Sequence, residues 1–212
     1  MRKNVRGKGD FMGNKDKLIS FLSSHYGYVT TSELLELNIY KPQIQKYIDA
    51  GIIEKVSHGL YMSTSNFRDE YYILQKRYPD AIFSYNTAFH ILNLTNRVPM
   101  EIDITVCRGK RVNADCLIHY VSENYYGIGI IEVLSPFGNP IKVYNAERSI
   151  CDMLRTEGDI DLELQNRILN YYFSLSTYNY VPMPVLIIQF LYLQHYHVQF
   201  FLKYLKVQLY YS

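Results

Sequence analysis

The first sixty residues alternate between apolar and polar positions, first with the period of helices and then with that of strands. Leu18, Phe21 and Leu22 have the spacing of one side of an amphipathic helix. A short extended bridge, "YVT", follows. Thr30 and Glu33 then have the spacing of a capping box, which favours the start of a second short helix. The pattern therefore predicts two helices joined by a short extended segment.

A third helix and a hairpin complete this region. Pro42 suits the first turn of a helix, and Gly51 suits the position just after its end. "IIEKV" and "LYM" alternate around the turn "SHG", as the strands of a hairpin do. The residues expected inside the second and third helices are Leu34, Leu35, Leu37, Ile44, Tyr47 and Ile48. This order of elements predicts a winged helix-turn-helix domain over residues 14–64.

After Ser65 the pattern changes to that of an α+β domain, which we place at residues 65–212. Two helical segments flank the short strand "AIFS", and Pro79 ends the first of them. Four runs then have the length and alternation of strands: "EIDITVC", "CLIHYVS", "GIGIIEVLS" and "NPIKVY". We expect a mixed, mainly antiparallel sheet, followed by helices from Asn145 onward.

The distribution of charge favours nucleic acid as a partner of the N-terminal region. The net charge is only +2, but residues 1–62 contain nine Lys and Arg against six Asp and Glu, whereas residues 63–160 contain ten against twelve. In a winged helix-turn-helix the third helix enters the major groove, where Gln contacts adenine and Lys contacts guanine or phosphate. The predicted DNA contacts are Lys41, Gln43, Gln45 and Lys46 on the helix, and Lys55 and His58 on the hairpin. A protein-interaction module with a solvated polar face is the alternative.

The sequence contains no strong signature of an enzyme, a metal site or a cofactor site. Three cysteines without CxxC spacing favour reduced thiols in a cytoplasmic protein. Glu101 and Asp103 alternate along one face of a predicted strand, which suits the solvent face of an amphipathic strand or the carboxylate pair of a metal-dependent nuclease. His90 and His119 have no partner at ligand spacing, and "GIGIIEV" lacks the length of a phosphate-binding loop. We therefore expect no catalytic residue, no metal ligand and no cofactor.

The stretch "VYNAERSICDMLR" combines acids, arginines and a cysteine in thirteen residues. Asn145 suits a helix N-cap, and Ala146, Ile150, Cys151 and Leu154 then form a buried stripe. On the neighbouring side Asp152 is spaced to pair with Arg148 and Arg155. The pattern predicts a structural helix with an unreactive thiol, and leaves open whether the charged residues brace the domain or face a partner.

Together these stretches resemble the AbiEi antitoxins of AbiE-type toxin–antitoxin systems, which are bacterial phage-defence modules. The resemblance runs from about Asn14 to Tyr172 and rests on "IDAGIIEKVSHGLYM", "IFSYNTAFHILNLTNRVPMEIDITV" and "GNPIKVYNAERSICDMLR". It implies a winged helix that binds inverted repeats in its own promoter and represses transcription. It also implies a C-terminal domain that neutralises a nucleotidyltransferase-like toxin without a stable complex. Binding to paired repeats further suggests self-association on DNA. From the motif matches, the residues expected to carry antitoxin activity are Arg97, Arg148, Asp152 and Arg155.

Two alternatives remain from the residues themselves: a metal-dependent nuclease or hydrolase targeted by the winged helix, and a plain transcription regulator whose body senses a ligand. The ends of the chain depart from the rest. Residues 1–13 are expected to be a flexible extension, and residues 173–212 form an aromatic tail whose only charged residues are Lys203 and Lys206. Pro182 and Pro184 interrupt its apolar run, so we expect no membrane span.

Overall fold

The computed structural model describes residues 9–155 and 162–176, which form two compact units. The first contains residues up to Arg77 together with Leu134–Asn139, and the second contains Tyr78–Val133 and the chain from Pro140. The domain boundary expected at residue 65 stays a prediction. The aromatic tail from residue 177 and residues 1–8 lie outside the described residues.

The first unit has the predicted order of helices and strands. Its elements are α1 (Gly9–Ser24), β1 (Tyr28–Thr30), α2 (Thr31–Glu36), α3 (Lys41–Asp49), β2 (Ile53–Ser57), β3 (Leu60–Ser63) and α4 (Glu70–Arg77). The strands pair antiparallel in the order β1-β3-β2. α1 starts five residues before the expected boundary at Asn14, inside the segment expected to be a flexible extension.

An apolar cluster packs α1, α2 and α3 of the first unit together. It contains Leu18, Leu22, Val29, Leu34, Ile39, Ile44, Tyr47 and Ile53. The predicted capping box is present, because the N–H of Glu33 donates to Thr30 Oγ1 and the N–H of Thr30 donates to Glu33 Oε2. Leu35, expected to be inside, is 47% exposed. Because α2 has only six residues, only a narrow side of it packs against the core, and Leu34 is the residue buried on that side.

The second unit contains a five-stranded sheet with helices. Its elements are β4 (Ile82–Phe83), α5 (Tyr85–Ile91), β5 (Asp103–Cys107), β6 (Leu117–Val121), α6 (Glu123–Tyr126), β7 (Ile130–Leu134), β8 (Pro140–Tyr144), α7 (Ala146–Arg155) and α8 (Leu162–Ser176). A buried cluster on α5, α7 and α8 includes Phe89, Ile150, Met153 and Ile168. Within residues 9–155 and 162–176, no helix combines the length and apolar character needed to cross a membrane.

The sheet of the second unit is mixed, with the strand order β6-β5-β4-β8-β7. β4 pairs antiparallel with β5, but β4 with β8 and β5 with β6 are parallel pairs. The expectation of a mainly antiparallel sheet therefore needs correction. Apolar alternation reports which side of a strand is buried, whereas it does not report strand direction. Residues 108–116 carry the chain back so that β6 starts beside Asp103.

Candidate DNA-binding surface and the Arg148 cluster

The helix α3 is fixed to the first unit by its apolar side. Ile44 and Tyr47 are 5% and 0% exposed, and Ile48 packs against the same cluster. Pro42 lies in the first turn, and Gly51 follows the helix with a φ of 66°, a value that favours glycine. Because one side of α3 is anchored in this way, the orientation of its other side is determined.

The other side of α3 is polar and exposed, and it contains three of the four predicted contacts: Lys41, Gln45 and Lys46. The amide of Gln45 donates to Oδ1 of Asp49, one helical turn later, at 2.8 Å. Gln43 is different, because its Oε1 accepts the backbone N–H of Tyr40 at 3.0 Å and its side chain is half-buried. Gln43 occupies the third position of α3, where a Glu or Gln of a capping box stands, so its spacing from Tyr40 in the sequence could have indicated this capping role.

The two predicted contacts on the hairpin are also exposed. Lys55 is on β2 beside Glu54, and His58 is in the turn before Gly59. The register between β2 and β3 shifts between Lys55 and Ser57, which marks a bulge. The structure thus places both side chains on one short projection with solvent around them.

Arg148, on α7, lies at the centre of a buried polar cluster in the second unit. Its Nε donates to Asp152 Oδ2 at 2.8 Å, and the two side chains are 2% and 3% exposed. Its Nη1 donates to the carbonyls of Tyr125 and Ile128 at 2.6 and 3.2 Å. The guanidinium carbon also lies 4.4 Å from the centre of the Tyr144 ring. Arg148 and Asp152 therefore brace the unit from inside.

The remaining two predicted antitoxin residues are more accessible. Arg155 is half-buried, and its Nη2 lies 3.6 Å from Asp152 Oδ1. Arg97 is exposed on the loop after α5, where its backbone N–H donates to Thr95 Oγ1 at 3.1 Å. The structure therefore brings Arg148, Asp152 and Arg155 together on α7. A partner has direct access to Arg155 and Arg97, whereas Arg148 and Asp152 are enclosed.

Gly129 has a packing role beside this cluster. Its φ is 80°, and a Cβ there would lie 2.7 Å from Arg148 Cβ and 2.9 Å from Asn145 Oδ1. Its carbonyl accepts the N–H of Asn145 at 2.7 Å. The second glycine of "GIGIIEV" is therefore explained by the close approach of α7.

The carboxylates considered for a metal site do not share a strand face. Glu101 precedes β5 and is exposed, whereas Asp103 is 2% exposed and its Oδ1 lies 2.8 Å from His119 Nε2. His119 therefore has a partner that its spacing in the sequence did not indicate. The parallel pairing of β5 with β6, with Thr105 opposite His119, places His119 diagonally across from Asp103. Within the described part of the chain, no three His, Cys, Asp or Glu residues are arranged to hold a metal ion.

The buried cysteine of α7 is unsuited to nucleophilic chemistry. Burial, followed by the charge of nearby Asp152, raises the pKa of the Cys151 thiol to about 12, although Arg148 opposes the rise. Burial also raises the pKa of the Cys116 thiol. The expectation that Cys151 packs and does not react agrees with this environment.

Comparisons with known proteins connect the first unit to a family. The crystal structure of the RV2827C protein from Mycobacterium tuberculosis is similar at a TM-score of 0.47 and 13% identity, over 74% of this chain and 71% of that chain. This score is too low to establish a common fold. No curated protein sequence matches the chain. The family model described as "Transcriptional regulator, AbiEi antitoxin" matches residues 16–64, which include α3 and the hairpin. Residues 16–64 of the first unit are thus similar to the AbiEi antitoxin transcriptional regulators.

Proposed function

We propose that the chain is a DNA-binding antitoxin that represses its own promoter by binding inverted repeats there. The observation that carries this proposal is the division of α3: Ile44 and Tyr47 anchor one side, and Lys41, Gln45 and Lys46 are exposed on the other. This helix lies within the residues that match the AbiEi regulators. Their family description supports transcription regulation and antitoxin function at the general level.

In this proposal α3 enters the major groove and the β2–β3 hairpin acts as a wing. Gln45 is suited to donate to and accept from an adenine edge, once its bond to Asp49 is exchanged for the base. Lys41 and Lys46 contact guanine or phosphate, and Lys55 and His58 contact phosphates beside the groove. Gln43 contributes by capping α3, since its Oε1 already accepts the N–H of Tyr40.

The second unit is proposed to neutralise a nucleotidyltransferase-like toxin without forming a stable complex. Arg97 and Arg155 are the accessible cations of the proposed antitoxin residues, and Arg148 and Asp152 brace α7, the helix that carries Arg155. This function needs no reaction at the antitoxin itself, and the chain is proposed to act in the cytoplasm as a non-enzymatic protein. A nuclease is disfavoured as an alternative because Glu101 and Asp103 lie in different environments, one exposed and one paired with His119.

A gel-shift assay on the DNA upstream of the chain's own gene tests the proposal. We expect Lys46→Ala and Gln45→Ala to weaken binding to the promoter, and Gln43→Ala to weaken it by loosening the start of α3. Lys110→Ala is the matched control, because it removes a lysine charge in the second unit, where Lys110 pairs with Asp80. Equal affinity of the wild-type chain for scrambled DNA would contradict sequence-specific repression.

The dependence of affinity on salt separates phosphate contacts from base contacts. Each lysine that neutralises a phosphate contributes about 0.9 to the slope of log affinity against log salt. Lys55→Ala is expected to reduce the slope by about that amount at every DNA sequence. Gln45→Ala is expected to leave the slope unchanged and to reduce the preference for the promoter over scrambled DNA.

Co-expression with the neighbouring gene tests the antitoxin part. If that gene encodes a toxic nucleotidyltransferase-like protein, the full chain is expected to restore growth, and Arg155→Ala together with Arg97→Ala is expected to reduce the rescue. Lys142→Ala is a suitable control, since that lysine donates to the carbonyl of Pro79 and lies outside the proposed residues. Full rescue by the doubly substituted chain would remove both arginines from the proposal.

A further inference from the structure

The second unit contains a cleft that DNA binding and the Arg148 cluster leave unexplained. Its volume is about 700 Å³, within the range of small-molecule sites. The walls include the apolar side chains of Val98, Met100, Leu117 and Leu164. Asp103 lines the cleft although it is only 2% exposed, and Glu101 and Arg97 are exposed residues of its lining. The cleft thus joins apolar walls to a buried carboxylate.

Asp103 is not fully satisfied by the protein groups around it. Its Oδ1 pairs with His119 Nε2 at 2.8 Å, and its backbone N–H donates to Thr87 Oγ1 at 2.8 Å. Its Oδ2 is buried and has no hydrogen-bond partner among the described residues. A buried carboxylate oxygen without a donor is costly, so natural structures usually supply one. A donor entering through the cleft would remove that cost.

The imidazole of His119, which pairs with Asp103, is in contact with Tyr85, a residue with a strained backbone. The Tyr85 ring stacks on His119, with the ring centres 3.9 Å apart and the planes tilted by 30°. Tyr85 has a φ of 48°, which is unfavourable for a bulky side chain and is retained only where the surroundings impose it. Ser84, the residue before it, is fixed because its Oγ accepts from Thr105 Oγ1 at 2.9 Å. Tyr85, His119 and Asp103 thus form a rigid set beside the cleft.

We propose that this cleft binds an organic cation, an amine or amidine with an apolar body, whose N–H donates to Asp103 Oδ2. The donor satisfies the buried oxygen, the positive charge is complementary to Asp103 and Glu101, and the apolar body packs against Leu117 and Leu164. Asp103, already oriented by His119, is the binding carboxylate, and Tyr85 is a positioning residue. This inference concerns binding alone and does not depend on DNA repression or on toxin neutralisation.

Benzamidine is a suitable probe, because it combines an amidinium with an apolar ring. Calorimetric titration of the full chain is expected to show saturable binding, with methyl signals of Val98, Met100 and Leu117 shifting in NMR spectra. Asp103→Asn is expected to weaken binding by about tenfold or more, since it removes the charge opposite the cation. Glu101→Gln is expected to weaken it by a smaller factor. Glu123→Gln, an exposed carboxylate of α6 outside the cleft, is the matched control.

A second variant protects the test against misfolding of Asp103→Asn. Leu117 is 45% exposed, so Leu117→Trp is expected to fold and to fill the cleft, abolishing binding while far-ultraviolet circular dichroism stays unchanged. The proposal is overturned if the wild-type chain shows no saturable binding of benzamidine, or if Leu117→Trp binds as the wild type does. It is equally overturned if Mn²⁺ or Zn²⁺ binds through Asp103 and benzamidine does not, because the site would then hold a metal.

Discussion

The guanidinium of Arg148 contacts three separate segments of the second unit. It pairs with Asp152 on its own helix, donates to the carbonyls of Tyr125 and Ile128, and lies over the ring of Tyr144. The i,i+4 spacing of the Arg148–Asp152 pair was evident in the sequence. At an exposed position such an ion pair would stabilise the helix by only a few tenths of a kcal/mol. Burial makes the loss of one partner much more costly, because the other ion is then left inside the protein as an uncompensated charge.

Arg148→Met tests the pair at the residue scale. The substitution leaves the Asp152 carboxylate buried and removes the guanidinium donor from the carbonyls of Tyr125 and Ile128, so we expect the free energy of unfolding to fall by about 3–5 kcal/mol in urea titrations. Arg167→Met is the matched control, because Arg167 and Glu163 also form an i,i+4 pair but are 53% and 70% exposed. The control is expected to stay within about 0.5 kcal/mol of the wild type. Equal losses for both variants would contradict a bracing role for Arg148.

The same variant has a predicted pH dependence. Burial raises the pKa of the Asp152 carboxyl, and Arg148 opposes this rise. Removing Arg148 therefore raises the folded-state pKa of Asp152 further above its unfolded value. A group whose folded pKa is raised contributes stability that is lost as the pH rises through that pKa. Arg148→Met is expected to be more destabilised relative to the wild type at pH 8 than at pH 5, as measured by paired urea titrations.

The three cysteines are expected to differ in reactivity for a physical reason. Cys151 is 3% exposed and its pKa is raised to about 12, whereas Cys107 and Cys116 are half-buried. At pH 8 iodoacetamide is expected to label Cys107 and Cys116 first in the native chain, and Cys151 only after unfolding in urea. Mass spectrometry of the digested chain measures this order. Labelling of Cys151 at the rate of Cys116 would contradict its burial in α7.

At the scale of elements, local signals in the sequence located most helices and strands. Thr30 with Glu33 indicated α2, Pro42 and Gly51 bounded α3, and Asn145 preceded α7. Strand direction could not be obtained in this way, because the parallel pairing of β5 with β6 depends on how residues 108–116 cross the unit. The Asp103–His119 pair was missed for the same reason, since only strand order brings these residues together.

The start of α2 gives a prediction at this scale. Thr30 Oγ1 accepts the N–H of Glu33 and donates to its carboxylate at 2.8 Å. Thr30→Ala is expected to lower the free energy of unfolding by about 1 kcal/mol, because the N-terminal N–H groups of α2 lose a side-chain acceptor. Ser20→Ala on the exposed side of α1 is the control, expected to be neutral or slightly stabilising from helix propensity. An unchanged melting temperature for Thr30→Ala would show that water replaces the cap at no cost.

At the scale of the whole molecule, the first unit is not continuous in sequence. It includes the turn Leu134–Asn139, which lies far along the chain from Arg77. Asp69, fully buried, makes the connection, because its Oδ2 accepts from Ser135 Oγ at 2.5 Å and from Asn139 Nδ2 at 2.6 Å. Periodicity cannot reveal such a contact between distant residues, so the sequence suggested two consecutive domains.

This turn should therefore affect the stability of the first unit. Tyr28 accepts the N–H of Asp69 through its hydroxyl at 2.9 Å, and Asp69 Oδ1 accepts the N–H of Tyr72 at 3.1 Å. Asp69 is thus linked to β1 through its backbone and to α4 through its carboxylate. Asn139→Ala removes one donor to a buried charge, so we expect a loss of about 1.5–3 kcal/mol. Hydrogen exchange is expected to accelerate at the amides of Val29 and Tyr72, far along the chain from the substitution.

Phe137→Ala is the control within the same turn, because Phe137 is 54% exposed and its substitution leaves both donors to Asp69 in place. It is expected to leave exchange at Val29 and Tyr72 unchanged. If Asn139→Ala accelerates exchange only within residues 134–139, the turn is an appendage and the first unit is complete without it. If exchange accelerates at Val29 as well, the core that supports α3 depends on a segment that the chain supplies about seventy residues after Asp69.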